Sequence, residues 1–359
     1  MSTVYISQDF KRSFMTCHSN LCHLIVPLSA IALISVSAPA AQAHGPAARG
    51  QPFLGAVELS KGTGPLIMLA TQSGNFQMPL DSTPNPSGDT IYFIANARAG
   101  AKTGAGASAK MGNDKGVFGA SARGGKASSL FTGAPFVSPS GIASSLDGQS
   151  VFIADVEAGQ IFALSVTGKG APAAVRGTSG TFPQNLDVVR EHNQETIYYT
   201  GKDAGGQPAV FKIASTGADA PTLVFKGEPL VTPDGIAVAP DGVIYLADRA
   251  AGKTKGQGKV FRIKDGAITP LVDTVRTDNP AGIALTKDGL TLLVSSYQAD
   301  GKHDQVLVVN TATGASTVVT DVVGKNKDAG GVHRAQAVNI FAWADIIAGG
   351  HGRVYRVQP

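Results

Sequence analysis

Short apolar runs rich in β-branched and aromatic residues recur along the chain, each cut off by polar, glycine-bearing turns. The runs TIYFIAN (90–96), SVFIADV (150–156), TIYYTG (196–201), VIYLAD (243–248), TLLVSS (291–296) and DIIAGG (345–350) read as strands. A second series follows them, VFGAS (117–121), QIFALSV (160–166), AVFKIAS (209–215), KVFRI (259–263), QVLVVN (305–310) and RVYRV (353–357). TLVF (222–225) and ITPLVD (268–273) read as outer strands. No apolar stretch from residue 44 onward has the length and 3.6-residue period of a buried helix.

The runs belong to a larger repeat. Pro233 to Asp248, PDGIAVAPDGVIYLAD, is echoed from Pro139 to Asp155, from Pro280 to Ser296 and, more loosely, from Pro79 to Asn96. Each copy reads as strand, tight turn, strand. Aligned on Leu80, Ser140, Gln184, Asp234, Ala281 and Gln336, the units recur every 44 to 60 residues, a period typical of propellers. The fold expected is all-β: a single six-bladed β-propeller over residues 44–359. PLIMLAT (65–71) is expected to add the outer strand of the last blade and close the ring.

The N-terminus has a different pattern. Lys11 and Arg12 precede an apolar run from Leu24 to Ala38, which ends in small residues at Ala41-Gln42-Ala43. Basic start, apolar middle and small-residue cleavage site predict a signal peptide over residues 1–43, cut near Ala43, and a periplasmic or secreted product. The run is shorter than the roughly 20 residues of a membrane span, so no membrane-spanning segment is expected after cleavage. Both cysteines, Cys17 and Cys22, fall in the removed part. This excludes disulfides, a thiol nucleophile and cysteine-bound zinc.

Thirty Lys and Arg against 26 Asp and Glu give a net charge of +4. This is too mild for a nucleic-acid footprint. Lysines do gather in the loops joining second to third strands, at residues 97–116, 249–258 and 298–304. In a propeller these loops share one face with the start of the innermost strands. The Asp-Gly pairs at 147–148, 241–242 and 288–289 are hairpin devices, with Asp capping the turn and Gly supplying positive φ. Trp343 reads as core. No HExxH or GxSxG motif occurs. Gly104 to Ala109 matches a dinucleotide fingerprint only formally, in an Ala/Gly loop with no helix behind it.

Asp234 opens an innermost strand, and its carboxylate is expected at the channel mouth. The stretch from Thr232 to Val238, TPDGIAV, resembles the Pro-Asp-Gly motif of the senescence-marker/gluconolactonase family. The resemblance implies an aspartate acting as metal ligand or catalytic base, with a calcium-type cation and a lactone or small-ester substrate. The equivalent positions, Leu80, Ser140, Gln184, Ala281 and Gln336, lack the acidic partners such a cup requires. Asp81, Asn185 and Asn279 stand one residue out of register. The repeat PxGIAxxxDGxxYxAD also resembles NHL repeats, which implies a partner-binding ring in which Asp155 and Asp248 cap blades.

The expectation is therefore an exported, monomeric binding module of the cell envelope without a cofactor. Ser140, Gln184, Asn185, Asp234, His333, Arg334 and Gln336 would meet a small molecule or envelope protein at the mouth. The alternative is a metal-dependent hydrolase with Asp234 as base and metal ligand.

Overall fold

A computed structural model describes residues 66–72, 74–99, 114–277, 279–298, 304–321 and 329–358. All belong to one unit, Phe53–Pro359. The expected signal peptide at residues 1–43, the Gly104 to Ala109 segment, most of the loop at 97–116, and Lys302 and His303 lie outside the described residues.

The first strand, β1 (Leu66–Gln72), is followed by six runs of strands. Blade 1 holds β2 (Phe76–Pro84), β3 (Thr90–Ala97), β4 (Lys115–Ser121) and β5 (Ser128–Thr132). Blade 2 holds β6 (Pro139–Ser144), β7 (Ser150–Asp155), β8 (Gln160–Ser165) and β9 (Ala173–Ala174). Blade 3 holds β10 (Leu186–Glu191), β11 (Gln194–Lys202), β12 (Pro208–Ala214) and β13 (Thr222–Lys226). Blade 4 holds β14 (Pro233–Val238), β15 (Ile244–Asp248), β16 (Gly258–Lys264) and β17 (Ala267–Val275). Blade 5 holds β18 (Ile283–Leu285), β19 (Thr291–Tyr297), β20 (Asp304–Asn310) and β21 (Ser316–Asp321). Blade 6 takes β22 (Ala329–Arg334), β23 (Phe341–Asp345) and β24 (Arg353–Gln358) from the end of the chain.

Each blade is a four-stranded sheet, and β1 supplies the fourth strand of blade 6 by pairing antiparallel with β24. The innermost strands touch in sequence from β2 round to β22 and back to β2. The result is the expected six-bladed propeller, closed by its N-terminal strand.

Apolar layers between blades hold the ring. Phe76, Phe93 and Phe118 pack together within blade 1, with ring centroids 4.7 to 5.8 Å apart. Trp343 is fully buried, stacks on Tyr355 at 5.3 Å, and packs with Leu293 and Val306 of blade 5. It is core, as its sequence context suggests.

The turn chemistry also follows the sequence. Gly242 has φ +83°, and Asp147 and Asp288 each accept from a nearby hydroxyl at 2.6 Å and a backbone amide at 2.9 and 3.0 Å respectively. At the far end of the second strand, Asp155 accepts from the amides of Val137, Ser138 and Ala158, at 2.8, 2.8 and 3.0 Å. Asp248 does the same for Val231, Thr232 and Ala250. These two aspartates fasten the chain that leads into the innermost strands of blades 2 and 4.

Blade 6 corrects the sequence reading. Its second strand is Phe341–Asp345, not residues 345–350, where a 3₁₀ turn at Ala348–Gly350 follows. Asp345 is thus a strand-closing aspartate like Asp155 and Asp248, and it accepts from the Ala348 amide at 2.9 Å. The innermost strand consequently ends before Gln336, and the equivalent of Asp234 is Gly330. In blade 1 a bulge between Gln77 and Asp81 shifts the register, so the equivalent there is Pro79 rather than Leu80.

Candidate functional site

The chemistry-bearing side chains of the innermost strands converge on the channel, where they fasten one blade to the next. Asp81 of blade 1 accepts from the Ile142 amide of blade 2 at 2.9 Å. Ser140 of blade 2 donates its hydroxyl to the Gln184 carbonyl of blade 3 at 2.6 Å. Asp187 of blade 3 accepts from Val238 of blade 4 at 2.9 Å. Asp234 of blade 4 accepts from Ala281 of blade 5 at 3.0 Å. Arg334 of blade 6 donates to the Leu285 carbonyl of blade 5 at 2.6 Å. His333 Nε2 of blade 6 lies 3.0 Å from Asp81 Oδ2, which returns the series to blade 1. Every gap between blades thus carries a polar staple.

Two further residues reach across the channel. Asn185 Nδ2 of blade 3 approaches Asp81 Oδ2 at 3.4 Å. Gln336, beyond the end of β22, donates from Nε2 to the Val188 carbonyl of blade 3 at 2.8 Å. It therefore sits near the end of the channel where innermost strands finish, away from Asp234, which stands where they start. Around His333, Arg334, Gln336 and Asp187 the remaining cavity is about 30 Å³, enough for a water or two.

Backbone contact narrows the channel as well. A Cβ on Gly235 would meet the Ala281 carbonyl, and one on Gly331 would meet the Asp81 carboxylate. The glycine of the PxGIA repeat is therefore required where neighbouring innermost strands touch.

Burial sets the electrostatics. Asp234 is 1 % exposed. Loss of water pushes its carboxyl up to about 7, against the lowering effects of the Ala281 amide and Arg249 and with help from Asp81 and Asp248. Arg249 Nε stands 3.9 Å from Asp234 Oδ2, and Asp234 Oδ1 has no hydrogen-bond partner. Asp187 is likewise raised by desolvation. Burial opposes charge on His333, but the Asp81 carboxylate and its hydrogen bond, with Asp187 beyond, outweigh it and raise the imidazole.

These residues do not fit a divalent cation. Asp81 spends Oδ1 on the Ser82 amide and Oδ2 on Ile142, Asn185 and His333. Asp234 brings one unpartnered oxygen, where calcium or magnesium takes six or so oxygen ligands. Among the described residues no three His, Cys, Asp or Glu side chains are grouped to hold a metal.

Of the residues singled out from sequence, Ser140, Asp234, His333 and Arg334 are staples, Asn185 and Gln336 are cross-channel links, and Gln184 offers its carbonyl. Gln184, Arg334 and Gln336 are partly exposed, and Asn185, Asp234 and His333 are buried. Asp187 is not among them, and Asp81 enters the sequence reading only as a residue out of register. The bulge hides the register of Asp81, and Asp187 lies three residues past the blade 3 anchor. The Gly331-Val332 pair and the FAWAD strand closing on Asp345 are the signals that could have placed blade 6.

No protein-family model and no curated protein matches the chain. Solved structures do share its fold. A gluconolactonase-like protein matches at 10 % identity over 82 % of this chain and 92 % of its own, with a TM-score of 0.51. A luciferin-regenerating enzyme matches at 11 % identity over 82 % and 96 %, also with a TM-score of 0.51. Hydrazine synthase from Kuenenia stuttgartiensis matches at 15 % identity over 80 % of each chain, with a TM-score of 0.50. Likeness at such identities describes architecture, and propellers carry many activities. Among the described residues no helix is long and apolar enough to cross a membrane.

Proposed function

We propose that the protein is a non-catalytic binding propeller of the cell envelope, exported by its N-terminal signal and acting through its outer faces as a monomer. The observation that carries this reading is the occupation of the channel. Apart from one oxygen of Asp234, its carboxylates, imidazole, guanidinium and amides are engaged in stapling blades, and about 30 Å³ remains beside Asp187, His333, Arg334 and Gln336. Small-molecule sites usually offer several hundred cubic ångströms. Asp81, Asp187 and His333 would have to leave their staples to reach a substrate atom.

The test is calorimetry of the chain beginning at His44 with calcium and manganese, beside Asp234→Asn, followed by a panel of lactones and small esters. The expected result is no metal-dependent heat and no turnover. Micromolar metal affinity and hydrolysis that vanish together in Asp234→Asn would replace this reading with the metal-dependent hydrolase. Fractionation of cells expressing the full chain tests export: a processed form starting near His44 should leave the cytoplasm, and an uncleaved cytoplasmic chain would refute that part.

A further inference from the structure

Single exposed apolar side chains are ordinary on any protein. Here they are not scattered. Among the described residues nine large apolar side chains are exposed, and four of them, one from each of four consecutive blades, lie within a few residues of the start of an innermost strand: Met78 (43 %), Val137 (50 %), Phe182 (44 %) and Val231 (56 %). Val137, Phe182 and Val231 sit on the runs of chain that lead into the innermost strands of blades 2, 3 and 4, and Met78 sits in the bulge near the start of β2 in blade 1. By topology all four lie on the face where innermost strands begin and second strands end.

The backbone is built to present them. The amides of Val137 and Val231 are held by the strand-closing Asp155 and Asp248, at 2.8 and 2.7 Å, while the preceding Phe136 and Leu230 are buried as anchors. Met78 and Phe182 hold left-handed conformations, φ +53° and +46°, costly for side chains of this size. Met78 is pinned by its amide on the His351 carbonyl at 2.8 Å. The fold thus spends backbone strain and buried carboxylates on segments whose apolar side chains end in water.

Cations stand on the same face. Lys253 and Lys255 occupy the second-to-third-strand connection of blade 4, after Arg249, which faces Asp234, and Lys202 and Lys115 stand at strand ends on the same face, Lys115 bonded to Asn96, against Asp114, Glu157 and Glu228, while Lys226 is paired with Asp203 at 3.1 Å. We infer that this face docks on a lipid surface with anionic headgroups, the four apolar side chains entering the interface and the lysines lying among the headgroups. A bilayer offers apolar depth and negative charge together to side chains contributed by separate loops. The assignment of this partner rests on the reading of the protein as a propeller that works through its faces.

Co-sedimentation with phosphatidylcholine vesicles, with and without phosphatidylglycerol, tests it. The chain from His44 should pellet with the anionic vesicles, less so as salt is raised. Val137→Ser with Val231→Ser should weaken partition by about tenfold or more, with an unchanged melting curve because both side chains are exposed. Lys253→Glu with Lys255→Glu should remove the preference for phosphatidylglycerol. A chain that stays in the supernatant, or a Val137/Val231 double variant that pellets like the wild type, overturns the proposal. So does a dimer in sedimentation velocity that the two serines dissolve, which would give the face to a second copy. Binding of an envelope protein that requires the valines without any lipid binding overturns it equally. Lipid binding accompanied by Asp234-dependent hydrolysis would leave this proposal standing and refute the preceding one; the absence of both would do the reverse.

Discussion

Asp81 shares its two oxygens among four donors from four blades, counting the Ser82 amide of its own strand. Replacing it with alanine leaves two buried amides without an acceptor and His333 without its counter-charge. The expected loss is about 3–5 kcal/mol, the usual cost of breaking a buried charged pair, read as a lower urea midpoint, with the His333 titration moving down by NMR. Asp234 and His333 together set a pH dependence. Both bind protons more tightly folded than unfolded, so stability falls as pH rises. The Asp234 contribution is complete below its ordinary value of 3.8 and is lost as pH approaches about 7. That of His333 is complete below 6.5 and is lost above it. Urea midpoints should therefore decline from about pH 4 to about pH 8, and Asp234→Asn should flatten the lower part of the decline. Neither behaviour was legible in the sequence. Pro233-Asp234-Gly235 showed that a carboxylate opens an innermost strand. Whether it meets water or the Ala281 amide depends on how closely blades 4 and 5 approach, which no local pattern encodes.

At the level of elements the sequence was far more explicit. Short apolar runs located second and third strands in five blades, because each such strand is buried between two neighbours and is β-branched or aromatic to pack there. The Asp-Gly turns were legible because their requirement is local. Blade 6 is less legible because Asp345 both ends FAWAD and begins the apolar run DIIAGG; with Asp345 at the start of the strand, Gln336 falls in the position that Gly330 holds. The function of the closing aspartate is itself testable. Asp248→Ala removes a charged acceptor from three amides, at about 1.5–3 kcal/mol for a bond of this kind. Hydrogen exchange should accelerate at Val231 and Thr232, with no change at Val151 two blades away; unchanged exchange at Val231 and Thr232 would show that the carboxylate does not hold the connector.

For the molecule as a whole, the period of the repeat was enough to predict the ring and its closure by PLIMLAT, since six units with unpaired ends would leave two exposed edges. The single seam between β1 and β24 carries the closure, with Met68 opposite Arg356. The chain from His44 has no cysteine, so Met68→Cys with Arg356→Cys creates one defined pair. If it forms, oxidation should raise stability by about 4 kcal/mol or more, as expected for a cross-link spanning a long loop, measured as the shift in urea midpoint between oxidised and reduced protein. An unchanged midpoint would mean that the ring opens elsewhere first.

The same seam has a mechanical consequence. Leu66 faces Gln358 and Gln72 faces Arg353, so both ends of the pair leave the ring side by side. A force pulling them apart loads the bond nearest the ends alone, then the next, and peels the strand away like a zipper instead of shearing all its bonds together. In an optical trap held by those two points, blade 6 should give way at low force, and the remaining five blades should follow as separate, later steps.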